Sequence, residues 1–153
     1  MNKAYGVLGS ALTGAATGYL AMRIWQAADA ADTRSCADNP SLCLTFYPLA
    51  GVLSWTVLAV LVFVVALRLL GVRPRGATVP ACFALQAYGL ALLGPLGTGV
   101  PRPSVLTLAA MALGPALVAV CTEPRWRRGG GVAIGVCVVA AGVAYGFADG
   151  PFS

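Results

Sequence analysis

The segment YPLAGVLSWTVLAVLVFVVAL, residues 47–67, carries no charged side chain from end to end. A helix needs about 20 predominantly apolar residues to cross a hydrocarbon core of about 30 Å. Four other uncharged stretches are similar, and they are residues 4–22, 79–100, 105–122 and 131–148. In these stretches apolar residues, mainly Leu, Ala and Val, follow one another without alternating with polar residues. This pattern indicates helices rather than the strands of a membrane barrel. The sequence predicts an all-α, polytopic membrane bundle of about five transmembrane helices in a single domain, residues 1–153.

The composition of the whole chain supports this prediction. Hydrophobic residues make up 59% of the 153 positions and charged residues only 10%, against roughly 25% charged in an average soluble domain. Ten basic and five acidic residues, with a net charge of +5, are too few to cover the surface of a water-soluble domain. The mean hydropathy is +0.83. A membrane is therefore expected to be the solvent.

The charges of the connecting segments predict an orientation. Residues 23–46 contain Asp29, Asp32 and Asp38 against two arginines, so this loop is predicted to be external. The basic residues that flank the other connections are Arg68, Arg73, Arg75, Arg125, Arg127 and Arg128. We expect these arginines to contact anionic head groups of the cytoplasmic leaflet. The N-terminus is then cytoplasmic and the C-terminus external, and we expect the membrane to be a bacterial plasma membrane.

Two features leave the number of spans open. Residues 79–122 contain only a short turn around Pro101 to Pro103, so this hairpin could be re-entrant rather than fully spanning. Lys3, the apolar run after it and the triplet Ala28-Asp29-Ala30 also resemble a secretory signal peptide with its cleavage site. We favour an uncleaved first helix, because its apolar run is long for a signal peptide and its glycines have a helix-packing spacing.

Small residues recur every four positions in the first and fifth predicted helices. The predicted helix-packing residues are Gly6, Ser10, Gly14, Gly18, Gly131, Gly135, Gly142 and Gly146. Small residues at this spacing let two helix backbones approach closely in lipid. We therefore expect these two helices to pack tightly, on each other or on a partner chain. The leading hypothesis is a non-catalytic accessory or assembly subunit, which binds another membrane protein or a second copy and loses that partner in Gly14→Leu or Gly135→Leu.

Two Gly-Pro pairs support an alternative function. Gly94-Pro95 and Gly114-Pro115 predict bends in the third and fourth helices. With Gln86 and Tyr88 they could line a cavity, as the broken helices of transporters do. The alternative is therefore a small transporter or channel for a neutral or apolar solute. Gln86 is more simply expected to donate a hydrogen bond to a neighbouring helix.

The residue inventory excludes most catalytic chemistry. The chain has no histidine, one glutamate and one lysine, and its predicted spans contain no charge. No catalytic residue, metal or cofactor is therefore expected, and proton-coupled transport is disfavoured because it needs a titrating group. A membrane-embedded enzyme acting on a lipid would have only Glu123, Asp29, Asp32 and Tyr88 to use. Nucleic-acid binding is not expected, since only short loops lie outside the spans.

Two of the five cysteines lie in the predicted external loop. Cys36 and Cys43 flank Asn39-Pro40, a dipeptide that favours a turn, and an external compartment is oxidising. A structural disulfide between them is predicted. A redox-active pair is less favoured because the chain has no Cys-x-x-Cys motif. The other three cysteines are isolated within spans, where cysteine behaves as a small apolar residue.

Overall fold

The computed structural model describes residues 3–37, 46–72, 75–93, 103–122 and 127–148. Within these ranges the chain forms five helices and no strand, which confirms the all-α class. The helices are α1 (Lys3–Cys36), α2 (Tyr47–Leu69), α3 (Arg75–Leu93), α4 (Val105–Cys121) and α5 (Arg127–Ala148).

α1 is longer than the sequence predicts. The sequence predicts an external loop at residues 23–46, but α1 continues through most of that segment to Cys36. Its second half is rich in alanine, the residue with the highest helix propensity. Two side chains also bond back one turn, from Thr33 Oγ1 to the Asp29 carbonyl and from Arg34 Nε to the Ala30 carbonyl, both at 2.9 Å. Charge after Met22 therefore ends the apolar run but not the helix.

α2 has a defined end and one buried stripe. Gly71 follows the helix at φ 67°, and the amides of Gly71 and Val72 donate to the carbonyls of Arg68 and Leu67. This pair of bonds is a Schellman motif, which glycine permits because it has no Cβ to clash at positive φ. The residues that α2 buries recur every four positions, and they are Gly51, Trp55, Ala59, Phe63 and Leu67.

The helices pack around α1 and α4. α1 packs most extensively against α4 and next against α2, while α3 packs against both α4 and α2. α5 lies at the edge, against α4 and a small part of α3. In the described ranges α1 and α5 do not contact each other, so the two glycine-bearing helices are not packed together. Trp55 of α2 stacks on Phe83 of α3 with ring centroids 5.1 Å apart, within the main apolar core.

One helix among the described residues is a candidate for crossing a membrane. α2, with 23 residues, meets the requirement of length and composition, and 22% of its most apolar window is buried within the chain. Shorter apolar stretches occupy Gly76–Leu92, Val105–Cys121 and Gly129–Ala140. α1 does not qualify, although it has 34 residues, because small and polar residues are interspersed along its apolar half. Membrane association is thus indicated by a single helix.

Candidate helix-packing site

Two helices approach each other closely where Gly14 and Gly18 of α1 face α4. A methyl group added at Gly14 would lie 2.7 Å from both the carbonyl oxygen of Met111 and the Cγ atom of Pro115. One added at Gly18 would lie 2.5 Å from Met111 Cγ. Carbon atoms in van der Waals contact are about 3.5–4.0 Å apart. α1 and α4 can therefore meet here only because both positions are glycine.

Pro115 explains why a carbonyl oxygen faces Gly14. In a regular helix the amide of residue 115 would donate to the carbonyl of Met111, four residues earlier. Proline has no amide hydrogen, so within α4 that carbonyl loses its helical donor. It lies against Gly14 instead, where a Cα–H group can make a weak hydrogen bond. The proline of α4 and the glycine of α1 are thus complementary.

A third helix joins this contact through Gln86. Gln86 Nε2 of α3 donates to the Gly14 carbonyl at 2.8 Å and to Thr17 Oγ1 at 2.8 Å. The Thr17 hydroxyl also lies 3.0 Å from Gln86 Oε1 and 2.8 Å from the Thr13 carbonyl. Gln86 is only 2% exposed and Thr17 only 1%. Both amide hydrogens of Gln86 are therefore used to hold α3 to α1.

This arrangement bears on the cavity predicted around Gln86, Tyr88, Pro95 and Pro115. Pro115 is fully buried beside Met111, and the polar atoms of Gln86 face α1. Pro95 lies outside the described residues. Tyr88 points elsewhere, since its hydroxyl donates to the Val138 carbonyl of α5 at 2.8 Å. The structure does not bring Gln86 and Tyr88 together.

The Tyr88 contact gives one glycine of α5 a definite role. A methyl group added at Gly142 would lie 2.9 Å from the Tyr88 hydroxyl oxygen. Gly142 therefore leaves the space in which that hydroxyl reaches the α5 backbone. Gly146 belongs to the same helix, but its surroundings are not among those that the structure describes.

Two other glycines of α5, Gly131 and Gly135, have no such neighbour, whereas Gly130 lies against Cys121 of α4. Beside Gly131 and Gly135 there is no heavy atom of the described chain within 4 Å of an added methyl group, and both are exposed. Val132, Val136 and Val139 extend the same side of α5 and are 62–67% exposed. We call these five residues the α5 face. No other part of the described chain covers the glycines and valines of this face.

The other predicted residues are scattered. Gly6 of α1 has open space beside it, whereas Ser10 is buried and its hydroxyl has no hydrogen-bond partner in the described structure. Cys43 lies outside the described residues, so the disulfide between Cys36 and Cys43 stays a prediction. Of the predicted basic residues, Arg68 is exposed near the end of α2, Arg75 begins α3, Arg127 and Arg128 begin α5, and Arg73 and Arg125 lie outside the described ranges.

Met111 and Thr17 also belong to the site, and the sequence indicates their roles only in part. Pro115 indicates that the carbonyl of Met111 is free of its helical hydrogen bond, because a proline within a helix has no amide hydrogen to donate to the residue four positions earlier. Nothing in the sequence indicates which helix would face that carbonyl. Thr17 is recognisable as a polar residue within an apolar run, but its pairing with Gln86 depends on the packing of α1 against α3.

The chemistry of this site is limited to holding helices together. It contains an amide, a hydroxyl and backbone carbonyls, none of which transfers protons near neutral pH. In the part of the chain that the structure describes, no group of three or more His, Cys, Asp or Glu residues could hold a metal ion. Comparison of the chain with protein-family models, curated proteins and solved structures finds no match.

Proposed function

We propose that the chain is a multi-pass protein of the plasma membrane that acts as a non-catalytic accessory or assembly subunit. Its α5 face receives a transmembrane helix of the partner. The observation that carries this proposal is the contrast between two glycine-bearing helices. Gly14 and Gly18 of α1 are filled by Met111 and Pro115, whereas Gly131 and Gly135 of α5 have nothing beside them.

The exposed surface supports a membrane as the solvent. The core helix of a soluble protein is mostly buried, but only 22% of the apolar window of α2 is covered by the chain. The chain exposes 9693 Å², against about 7200 Å² for a compact soluble monomer of its mass. Exposed leucines and valines account for many of the large side chains on this surface. Lipid tails or a partner helix would cover them without the cost of exposure to water.

The packing supports several crossings. α1 and α2 run antiparallel, because Gly9 contacts Leu70 at one end and Ala28 contacts Gly51 at the other. Arg68 near the end of α2, Arg75 at the start of α3 and Arg127 at the start of α5 would then lie on one side of an alternating bundle. The positive-inside rule makes that side cytoplasmic. In this topology a Cys36–Cys43 disulfide is external, and the basic side meets anionic head groups.

The chemistry of the α5 face favours a helix as its partner. Glycine removes the side chains that keep two backbones apart, and association of helices in lipid depends on van der Waals contact at such positions. The three valines beside Gly131 and Gly135 are β-branched and lose little side-chain entropy on contact. A second transmembrane helix can lie in this groove, whether it belongs to another protein or to a second copy.

Gly135→Leu tests the proposal. A leucine there would fill the groove, and we expect at least a tenfold loss of the protein that co-purifies from membranes in mild detergent. The matched control is Gly76→Leu in α3, since Gly76 is also exposed with open space beside it but lies off the α5 face. Both variants should insert in membranes as the native chain does. Equal co-purification with Gly135→Leu and Gly76→Leu would contradict a docking role for the α5 face.

A further inference from the structure

Arg23 is an exposed cation of α1, and its depth differs from the one that the sequence predicts. The predicted first span ends at Met22, which would place Arg23 at the membrane surface. The structure continues α1 beyond this position to Cys36, so the end of the apolar run does not mark the end of the helix. The depth of Arg23 therefore follows from its level along α2, the candidate span.

Contacts between α1 and α2 place this arginine near the middle of α2. At one end of the pair Gly9 faces the side chain of Leu70. At the other end Ala28 Cβ lies 3.1 Å from a methyl group added at Gly51. Counting along the two antiparallel helices from either contact brings the arginine level with Thr56, near the centre of α2. About 12 Å of hydrocarbon then separates this level from the nearer head groups.

The described chain does not neutralise this charge. Among the described residues the Arg23 side chain has no ion pair or hydrogen bond. The described carboxylates are those of Asp29 and Asp32, and even Asp29 lies about 9 Å further along the axis of α1. A charge at the centre of a bilayer is costly, and such charges are found paired with an opposite charge or facing water. Arg23 instead lies on the exposed side of α1, where it lacks a counter-charge from its own chain.

We propose that Arg23 pairs with an aspartate or glutamate in a transmembrane helix of a partner protein. This inference rests on the membrane insertion proposed above and concerns a surface separate from the α5 face. Ala27 and Ala30 follow Arg23 on the same side of α1 and are exposed, so a helix can approach the backbone there. Tyr19 and Leu12 precede Arg23 on that side and are large. The partner helix therefore crosses α1 at Arg23 and diverges from it towards Leu12.

A second copy of the chain is a poor source of this carboxylate. Two copies inserted in the same orientation would bring Arg23 level with Arg23, and like charges repel each other strongly where the dielectric constant is low. The described carboxylates of the second copy would lie as far from this level as those of the first. The partner is therefore a different protein, whose span carries an acidic residue at mid-depth.

A model peptide tests this pair. The labelled chain is reconstituted in phosphatidylcholine vesicles with a poly-leucine transmembrane peptide that carries one aspartate at its centre, and energy transfer between labels measures association. We expect this peptide to bind at least tenfold more tightly than the same peptide with leucine at that position. Arg23→Leu should remove the difference. Arg23→Lys should keep part of it, because lysine retains the charge without the paired donors of a guanidinium.

Two control variants should bind the aspartate peptide as the native chain does. Arg34→Leu removes another exposed arginine of α1, one whose Nε atom bonds to the Ala30 carbonyl. Gly135→Leu fills the α5 face and leaves Arg23 unchanged.

The outcomes separate this inference from the proposed function. Equal binding of the aspartate and leucine peptides by the native chain, or an aspartate preference that survives Arg23→Leu, overturns the pair and leaves the α5 face untouched. Association of two labelled copies that Arg23→Leu abolishes would assign the arginine to a second copy and also overturn it. If the native chain does not insert in the vesicles, membrane insertion is contradicted, and this inference with it.

Discussion

Replacing Gly14 with leucine is expected to separate α1 from α4 and to leave little correctly folded protein. The new side chain would meet the Met111 carbonyl oxygen and Pro115, and a backbone carbonyl cannot rotate away as a side chain can. Overpacking of a tight contact costs about 1–3 kcal/mol even where side chains can adjust. The backbone here makes the upper end of that range the expectation. Unfolding of the purified protein in detergent, followed by circular dichroism, measures the effect.

Gly6→Leu is the control for this experiment. Gly6 is in the same helix and has no atom of the described chain within 4 Å of an added methyl group, so its substitution should leave the unfolding midpoint nearly unchanged. If Gly14→Leu unfolds at the same midpoint as Gly6→Leu, the contact between α1 and α4 does not stabilise the chain. Because Gly14 is buried between helices, any loss of partner binding in Gly14→Leu would follow from misfolding. The loss expected in Gly135→Leu would instead follow from the filled α5 face.

Gln86→Leu is expected to lower stability by about 1–3 kcal/mol. It removes two hydrogen bonds between α3 and α1, to the Gly14 carbonyl and to Thr17, and such bonds contribute about 0.6 to 1.7 kcal/mol each in membrane proteins. Leucine is of similar size and the Thr17 hydroxyl keeps its bond to the Thr13 carbonyl, so no buried hydroxyl loses its last partner. The same detergent unfolding experiment measures the loss.

A double-mutant cycle with Thr17→Val isolates the contact. The double variant should lose less stability than the sum of the two single variants, because both single changes remove the same interaction. Unchanged stability in Gln86→Leu would show that the amide does not join the helices. It would then favour the alternative in which Gln86 orients a solute.

Much of the helical architecture could be predicted from hydropathy and charge. The predicted spans at residues 47–67 and 105–122 differ from α2 and α4 by only one or two residues at their ends. The sequence predicts a loop between Arg23 and Cys36, whereas the structure has helix there, because the alanines of this charged segment favour helix. Hydropathy indicates which residues can lie in lipid, whereas helix formation depends on backbone propensity. The apolar span and the helix therefore need not end at the same residue.

The candidate site was predictable only in part. The four-residue spacing includes Gly14 and Gly18, which lie against α4, and also Gly6, which has open space beside it. Such a spacing carries no information about which helix will fill it. Gln86 and Tyr88 are near in sequence, which is the basis for predicting that they line one cavity. Residues two positions apart on a helix point to different sides, and the structure directs Gln86 to α1 and Tyr88 to α5. That division could have been deduced from the helical period alone.

Photocrosslinking in intact membranes tests the central claim most directly. A photoreactive amino acid in place of Val136, on the α5 face, should give a covalent adduct with an integral membrane protein or a second copy, and Gly135→Leu should abolish that adduct. The same residue in place of Leu12, on the exposed side of α1, should give no protein adduct, although Leu12 is as exposed as Val136. Adducts of equal yield from Val136 and Leu12, or an adduct at Val136 that survives Gly135→Leu, would contradict the proposed role of the α5 face.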